Sequence, residues 1–496
     1  MPRLDQSRTP YFDALLAYVD DHVVSFHTPG HKHGRGMHPR LKDFIGENIL
    51  KIDLTQVLGL DDLNQPEGAI KHAHELAADA YGADYSYFLI NGSTAGNQAM
   101  LMTALRPDDT VLIPRNSHKS AVSALIMSAA RPVYMQPAVD QDLHIDHAVT
   151  VETVKNALDK NQEARAVFLT SPTYYGSAAD VAGIEKLVHA RGKMLLVDEA
   201  WGPHLHFHPE LPQSATSANV DACVNSTHKL TGAMSQCAML HTVGDRIDQG
   251  RLRSTLRIFQ STSPQLAMLA SLDVARMQMA TEGEALLTGA LALARNARER
   301  LNRIPGVFCM GVEHVGRPGI AAYDETRLVI TVKDLGYTGY EASNILRLRY
   351  KVQADMADLC NVVALVTFGD TEASIDALID AVDRLARDEK PAGSEPAFAI
   401  LEHRMQHGTY AMPPIPAMVL TPREAFTRDH VEVPFRNSAG RICAEVITPY
   451  PPGIPIICPG ERIDEDTIDY LQSEMHAGVH IQGPVDEKLR TIRVLP

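Results

Sequence analysis

The sequence predicts an α/β fold with a mostly parallel central sheet, a smaller α+β domain after it and a small C-terminal domain. Three observations predict it. Short apolar runs alternate with helix-length segments from about residue 66; the composition turns to long Ala/Leu/Arg-rich helix after about residue 276; and a stretch rich in Pro, Ile and Val closes the chain. The expected divisions are 1–65, an N-terminal segment; 66–275, a large α/β domain; 276–389, the small α+β domain; and 390–496, the C-terminal domain, with "KPAGSEP" (390–396) a linker by composition.

"PEGAIKHAHELAADAYGA" sets Ile70, Ala73, Ala77, Ala80 and Tyr81 on one helical face and opens the alternation. The strand runs are "YSYFLIN" (85–91), "TVLIPRN" (110–116), "PVYMQP" (132–137), "AVFLTSP" (166–172), "MLLVDEA" (194–200), "ACVNST" (222–227) and "CAMLHTV" (237–243). Helices such as "VAGIEKLVHARG" separate them. Continuous apolar strands of this kind belong to sheets covered on both faces. "EALLTGALALARNARERLNRI", "RLVITVKD", "VVALVTF" and "SIDALIDAVDRLARDE" make up the smaller domain.

Composition narrows the function classes. The chain has 496 residues, 45% hydrophobic and 22% charged, enough for two or three domains and a large buried site. Its net charge of −15 argues against nonspecific nucleic-acid binding. Six scattered cysteines show no CxxC pair or metal-ligand spacing, so no disulfide framework or zinc site is expected. The charged N-terminus lacks a signal-type apolar core, and no apolar stretch approaches the roughly 20 residues of a membrane span, so a cytoplasmic protein is expected.

In open α/β sheets ligands gather at the carboxyl ends of strands. Here those ends carry Asn91-Gly92-Ser93-Thr94, Asn116-Ser117-His118-Lys119, Ser171-Pro172-Thr173, Asp198-Glu199-Ala200-Trp201 and Ser226-Thr227-His228-Lys229. A lysine at such a position can act as a covalent catalyst if it can lose its proton and face a carbonyl. Asp198 ends a strand upstream of Lys229, and "NGSTAGNQAM" offers a glycine turn, two hydroxyls and a helix N-terminus suited to a phosphate. Lysine, aspartate and phosphate cup together are the requirements of a pyridoxal 5′-phosphate (PLP) site, in which the lysine holds the aldehyde and the aspartate pairs with the ring nitrogen. Alone, Asp198 or the Gly-Ser-Thr turn reads equally well as a helix N-cap, and His118 alone as a satisfied loop histidine. His204, His206 and His208, like His27, His31 and His33, lack a convergent carboxylate or cysteine, and no metal site is expected.

The ordered motifs "FHTPGHKHG", "DLTQVLGLDDL", "NGSTAGNQ", "RNSHKS", "DEAWGPHLHF", "NSTHKLTGAMSQ", "STSPQ" and "YPPGIPIICPGE" resemble the fold-type-I PLP-dependent ornithine/lysine/arginine decarboxylases, in their short bacterial form without the N-terminal wing domain. The resemblance implies that Lys229 carries the cofactor and Asp198 bonds its ring nitrogen. Ser93, Thr94 and the Ala95 amide hold phosphate, with Ser226 and His228 helping. His118 stacks on one ring face, Ala200 lies against the other and Trp201 lines the pocket. At Ala95 longer relatives tend to carry a hydroxyl, so only the N–H remains there.

The resemblance further implies α-decarboxylation of a basic L-amino acid, with His228 or Lys229 returning the proton. Arginine is the first choice, giving agmatine and CO2 for polyamine biosynthesis; lysine and ornithine are alternatives. Glu461 and Asp53, with Asp61 and Asp62, are candidates for the cationic end of the substrate. A homodimer or higher oligomer is implied, with residues 1–65 including a dimer-contact loop and Thr262 or Ser263 reaching the partner's phosphate. An aminotransferase and a non-catalytic PLP-binding relative share Lys229 and Asp198. The missing arginine clamp signature and the intact cup count against them.

Overall fold

The structure, a computed structural model, describes residues 4–388, 413–450, 453–476 and 478–496. The expected linker at 390–396 lies outside the described residues, as do Pro451 and Pro452 of the "YPPGIP" stretch expected to form a rigid turn.

The chain forms two compact units, one of Met1–Ala104, Met194–Pro209 and Gln213–Ala285, the other of Leu105–Lys193, Glu210–Pro212 and Leu286–Pro496. In the first, four strands run in the order Tyr85–Leu89, Ala238–Thr242, Ala222–Asn225, Met194–Asp198. Met194–Asp198 and Ala222–Asn225 are parallel, whereas Ala238–Thr242 is antiparallel to both its neighbours. The reason is the connection 226–237, which holds one short helical turn, Thr227–Leu230, and no crossover helix able to return the chain for parallel pairing. Every residue of Met194–Asp198 and Ala238–Thr242 is buried, as strands covered on both faces require.

The helix Gly92–Ala104 packs on three of these strands. It can approach closely because Gly96 has no side chain: a β-carbon there would collide with Val224 Cγ2 and Leu89 Cδ1. On the outer side, the predicted face of Ala69–Tyr81 is buried, with Ile70, Ala73, Ala77, Ala80 and Tyr81 meeting Leu266, Leu269 and Tyr11 in one core.

The second unit contains three parallel strands, Ala166–Thr170, Thr110–Pro114 and Arg131–Met135. It also contains an antiparallel sheet ordered Phe308–Cys309, Arg327–Thr331, Asn361–Leu365, Met356–Ala357. Leu328, Ile330 and Val362 of that sheet meet Ile375, Ile379, Val382 and Leu385 of the helix Glu372–Arg387. The C-terminal stretch builds its own core from Phe435, Cys443, Ile447, Ile457, Leu471, Ile481 and Val494 around the helix Glu465–His476. The predicted strands are thus all present, and the fold is α/β with a mixed, mostly parallel large sheet. All six cysteines are free and buried. Among the described residues no helix is long and apolar enough to cross a membrane.

Candidate active site

The first unit gathers the polar ends of its strands into one cluster. The strand Tyr85–Leu89 turns into the helix Gly92–Ala104 through Gly92, whose φ of +69° is a left-handed value that favours glycine. Gly92 donates its N–H to Gln236 O at 2.8 Å, and Asn91 Oδ1 accepts from the Gln236 amide at 3.3 Å, so the turn is anchored to the loop ahead of the next strand. Ser226 Oγ donates to Ser93 Oγ at 2.7 Å. Two hydroxyls from distant parts of the chain thereby meet at the N-terminus of a 13-residue helix, where backbone N–H groups and the helix dipole favour an anion. Thr94 is exposed and the Ala95 methyl is buried beneath the turn.

Asp198 ends the strand Met194–Asp198 and is 3% exposed. Its Oδ2 accepts from Asn97 Nδ2 at 2.7 Å and its Oδ1 from the Ala200 N–H at 3.1 Å. Burial raises its pKa, opposed by the Lys229 charge and by the hydrogen bonds from Asn97 and Ala200. Asn97 escaped the sequence reading. The signal that could have found it is its spacing, four residues after Ser93 and so on the same helical face.

Lys229 sits in the turn Thr227–Leu230, with Nζ 3.6 Å from the centroid of the Trp201 ring. Beside it His228 Nδ1 lies 2.7 Å from Cys237 O. A carbonyl can only accept, so Nδ1 carries the proton, and in the neutral ring Nε2 presents a lone pair. Burial lowers the His228 pKa, the Cys237 hydrogen bond opposes this, and the Lys229 charge lowers it further. Thr227 Oγ1 and Asn225 Oδ1 are buried with no hydrogen-bond partner. A buried carboxylate, an amine and paired hydroxyls at a helix N-terminus can hold a group that is anionic at one end and basic at the other.

Comparison with known proteins decides the kind of chemistry. A family model described as Orn/Lys/Arg decarboxylase, major domain, matches residues 9–374, and one for the C-terminal domain of the same proteins matches residues 403–484. The chain belongs to the Orn/Lys/Arg decarboxylase family. This decarboxylase is 41% identical to an arginine decarboxylase of Bacillus anthracis, over 100% of this chain and 99% of that one. An arginine decarboxylase of Bacillus subtilis is 40% identical over 99% of each chain. A lysine decarboxylase of Pseudomonas aeruginosa is 27% identical, matched over 96% of this chain and 79% of its own. Among solved structures, the Francisella novicida lysine decarboxylase superposes with a TM-score of 0.85 at 22% identity, over 98% of this chain and 81% of that one. A Nostoc alanine–glyoxylate aminotransferase, at a TM-score of 0.51 and 19% identity over 64% of this chain and 87% of that one, shares the fold of the large domain.

Other residues of the decarboxylase that the sequence singled out lie in different settings. Glu461, expected to meet the substrate's cation, is fully buried. Its two carboxylate oxygens accept from the Arg115 guanidinium at 2.6 and 2.9 Å, and Oε2 also from the Cys458 N–H at 2.7 Å. Every direction in which it could bind a ligand is taken, so Glu461 is a clamp within the second unit. Asp61 is likewise spent: its oxygens accept from the backbone N–H groups of Asp62, Glu67, Gly68 and Ile70. Asp53 pairs with His31, Nε2 to Oδ2 at 3.1 Å. Thr262 and Ser263 are exposed, and Thr262 O is 3.5 Å from Gln56 Nε2. In the second unit His118 caps the helix Lys119–Ser128, its Nδ1 3.2 Å from Ser120 N and 2.8 Å from Ser120 Oγ. Of the alternating histidines, His204 and His208 are buried and His206 Nδ1 faces Ser214 Oγ at 3.1 Å.

Glu199, next to Asp198, was given no role by the sequence. It is 3% exposed, accepts from the Ala215 N–H at 2.6 Å and from Asn225 Nδ2 at 2.9 Å, and burial pushes its pKa up to about 8 against these bonds.

Proposed function

We propose that the protein decarboxylates L-arginine to agmatine and CO2 with PLP as cofactor, in the cytoplasm. The observation that carries this reading is identity of 40–41% from end to end with arginine decarboxylases, against 26–27% with the lysine decarboxylases. The donor set of the Lys229 cluster fits PLP. Thr227 Oγ1 is a buried hydroxyl with no partner, Asp198 is a buried carboxylate suited to a ring N–H⁺, and the Ser93 and Ser226 hydroxyls meet at a helix N-terminus. When bound, PLP accepts the electron pair left on the α-carbon as CO2 departs.

In this reading Lys229 Nζ bears the cofactor aldehyde and is exchanged for the substrate's amine. Asp198 keeps the ring nitrogen protonated, and Asn97 and the Ala200 N–H fix the angle of its carboxylate. Ser93, Thr94, the Ala95 N–H and Ser226 hold phosphate. Ala200 supports a ring face and Trp201 walls the site. His118 is proposed for the other ring face on the resemblance alone, and Asp53 for the substrate's cation on the same ground. His228, with Nδ1 held by Cys237 O, has only Nε2 for phosphate or for moving the proton to the α-carbon. Apolar walls favour departure of a charged carboxylate.

The reading extends to a homodimer, supported by side chains in the N-terminal segment that a lone chain leaves in water: Phe26, Phe44 and Leu58 are 93%, 88% and 99% exposed. Thr262 and Ser263 are proposed to reach the partner's phosphate. Full activity of monomers at high dilution would overturn that extension. The function itself is tested by incubating the purified, PLP-loaded protein with L-arginine, L-lysine and L-ornithine and measuring CO2 and amine separately. Agmatine and CO2 in equal amounts from arginine, with the others much slower, are expected. Keto-acid without CO2 would replace the reading with transamination.

A further inference from the structure

On the first unit, away from Lys229, a pocket with about 330 Å³ of space, part of it open to solvent, lies between the helix Gln249–Phe259 and the strand Tyr85–Leu89. Its walls include Arg253 and Arg257, four residues apart and so on one face of that helix, with Tyr87, Phe88, His74 and Gln260. Neither arginine forms an ion pair with a carboxylate among the described residues. Arg253 lies against the Tyr87 hydroxyl, and Arg257 donates Nε to Asn64 O at 2.7 Å, which leaves its η nitrogens for a ligand. In a chain of net charge −15, two adjacent guanidiniums without an acidic partner are a feature to be explained.

The pocket also has a buried neutral donor. His74 is 8% exposed, and its Nε2 accepts from the Phe88 N–H at 3.1 Å, so the proton of the neutral ring is on Nδ1, for which no acceptor exists among the described residues. Asp61, the acidic group acting on His74, has its carboxylate bonded to four backbone N–H groups. Beside these donors His74 meets Phe88 edge to face at 4.9 Å and Tyr87 at 5.9 Å, giving the pocket an aromatic wall. Gln260 ties this wall to the cluster around Ser93. Its Oε1 accepts from the Ile90 N–H at 3.1 Å and its Nε2 donates to Phe88 O at 3.2 Å, immediately before Asn91-Gly92-Ser93-Thr94.

We propose that this pocket is an effector site for a small phosphate monoester with a flat apolar body. The two guanidiniums and the His74 donor take the phosphate oxygens, since fork-shaped cations suit a dianion better than a single carboxylate. The apolar body lies against the aromatic wall. The effect on the reaction passes through Gln260 to the turn at Gly92, and this part alone rests on the reading of that turn as the cofactor's phosphate cup.

Phenyl phosphate is the probe, titrated calorimetrically into the PLP-loaded protein so that the Lys229 cluster is already filled. Saturable binding of one molecule per chain is expected. Arg253→Gln and Arg257→Gln should each weaken it about tenfold, leaving the visible cofactor absorption and the basal turnover unchanged. In wild type the probe should alter kcat/KM for whichever basic amino acid is turned over, and in Arg253→Gln it should not. Arg253→Gln carries the test if loss of the Asn64 bond unfolds Arg257→Gln. Absence of saturable binding, or binding equal in both variants, overturns the site. Binding without any kinetic change overturns the effector role, and a change of sedimentation in the variants without probe binding in wild type assigns the arginines to a second chain instead. Calorimetry needs no turnover, so failure of the arginine reading is distinguished from failure of this one.

Discussion

The Lys229 ammonium lies over the face of Trp201, 3.6 Å from the ring centroid, and Trp201 is the one tryptophan of the chain. A cation held over an indole gains about 1–2 kcal/mol when desolvated, so the ring both positions Lys229 and reports on it. Addition of PLP should change Trp201 emission in step with growth of the visible absorption band of the lysine-bound cofactor. In Lys229→Ala the band and decarboxylation should both vanish while circular dichroism is kept. A variant that retained lysine-linked cofactor would disprove the assignment.

Asp198 and Asn97 separate a charge from its orientation. Asp198→Asn removes the anion facing the cofactor ring, and loss of about 3 kcal/mol, the upper range for a charge-assisted hydrogen bond, lowers kcat about 100-fold. Asn97→Ala keeps the anion but loses the 2.7 Å bond to Oδ2, and a drop of about tenfold is expected. Steady-state kinetics at saturating PLP checks both. Equal effects of the two substitutions would show that Asn97 does more than orient the carboxylate.

The Arg115–Glu461 pair predicts a stability defect where the sequence suggests a binding defect. Both side chains are almost wholly buried, and breaking such a pair by removing one partner costs about 3–5 kcal/mol. Glu461→Gln should therefore lower Tm by roughly 10 °C and leave KM for the substrate of the folded enzyme within about twofold. An unchanged Tm with a large rise in KM would return Glu461 to the substrate site.

What the sequence revealed and what it hid follow from range. Strands and the Gly92 turn are written in local patterns, alternation of apolar runs with helices and a glycine at a sharp bend, and they appear where expected. The Ser93–Ser226 contact joins residues 133 positions apart, but both lie at strand ends, which topology alone brings together. Glu461 was misread because its partner, Arg115, lies 346 residues away, and no local pattern distinguishes a carboxylate that awaits a ligand from one already bound to a guanidinium. Asn97 was hidden differently. It is on the predicted helix, yet its importance depends on reaching Asp198 across the sheet. The antiparallel strand Ala238–Thr242 was unmarked because apolar runs carry no direction.

The last prediction concerns pH and the buried His74. Burial pushes its pKa down to about 4 from the ordinary 6.5, with the Asp61 charge opposing. The folded protein thus declines a proton that the unfolded chain takes up, and stability falls as pH falls from 6.5 towards 4. The slope is about 1.4 kcal/mol per pH unit and the full loss about 3 kcal/mol. His241, pushed down to about 3 by burial, acts in the same sense. Glu199 acts oppositely: raised to about 8, its protonated form stabilises the fold below pH 4.5, and that contribution is lost as pH rises towards 8. The measured profile is the sum, so one histidine must be removed to see its share. His74→Gln keeps an acceptor for the Phe88 N–H and cannot titrate. Between pH 7.5 and pH 5 wild type should lose about 2 kcal/mol more than His74→Gln, seen as a steeper fall of Tm. Parallel Tm curves for the two proteins would mean that His74 is protonated in the folded state after all, and the neutral donor assigned to Nδ1 would have to be abandoned.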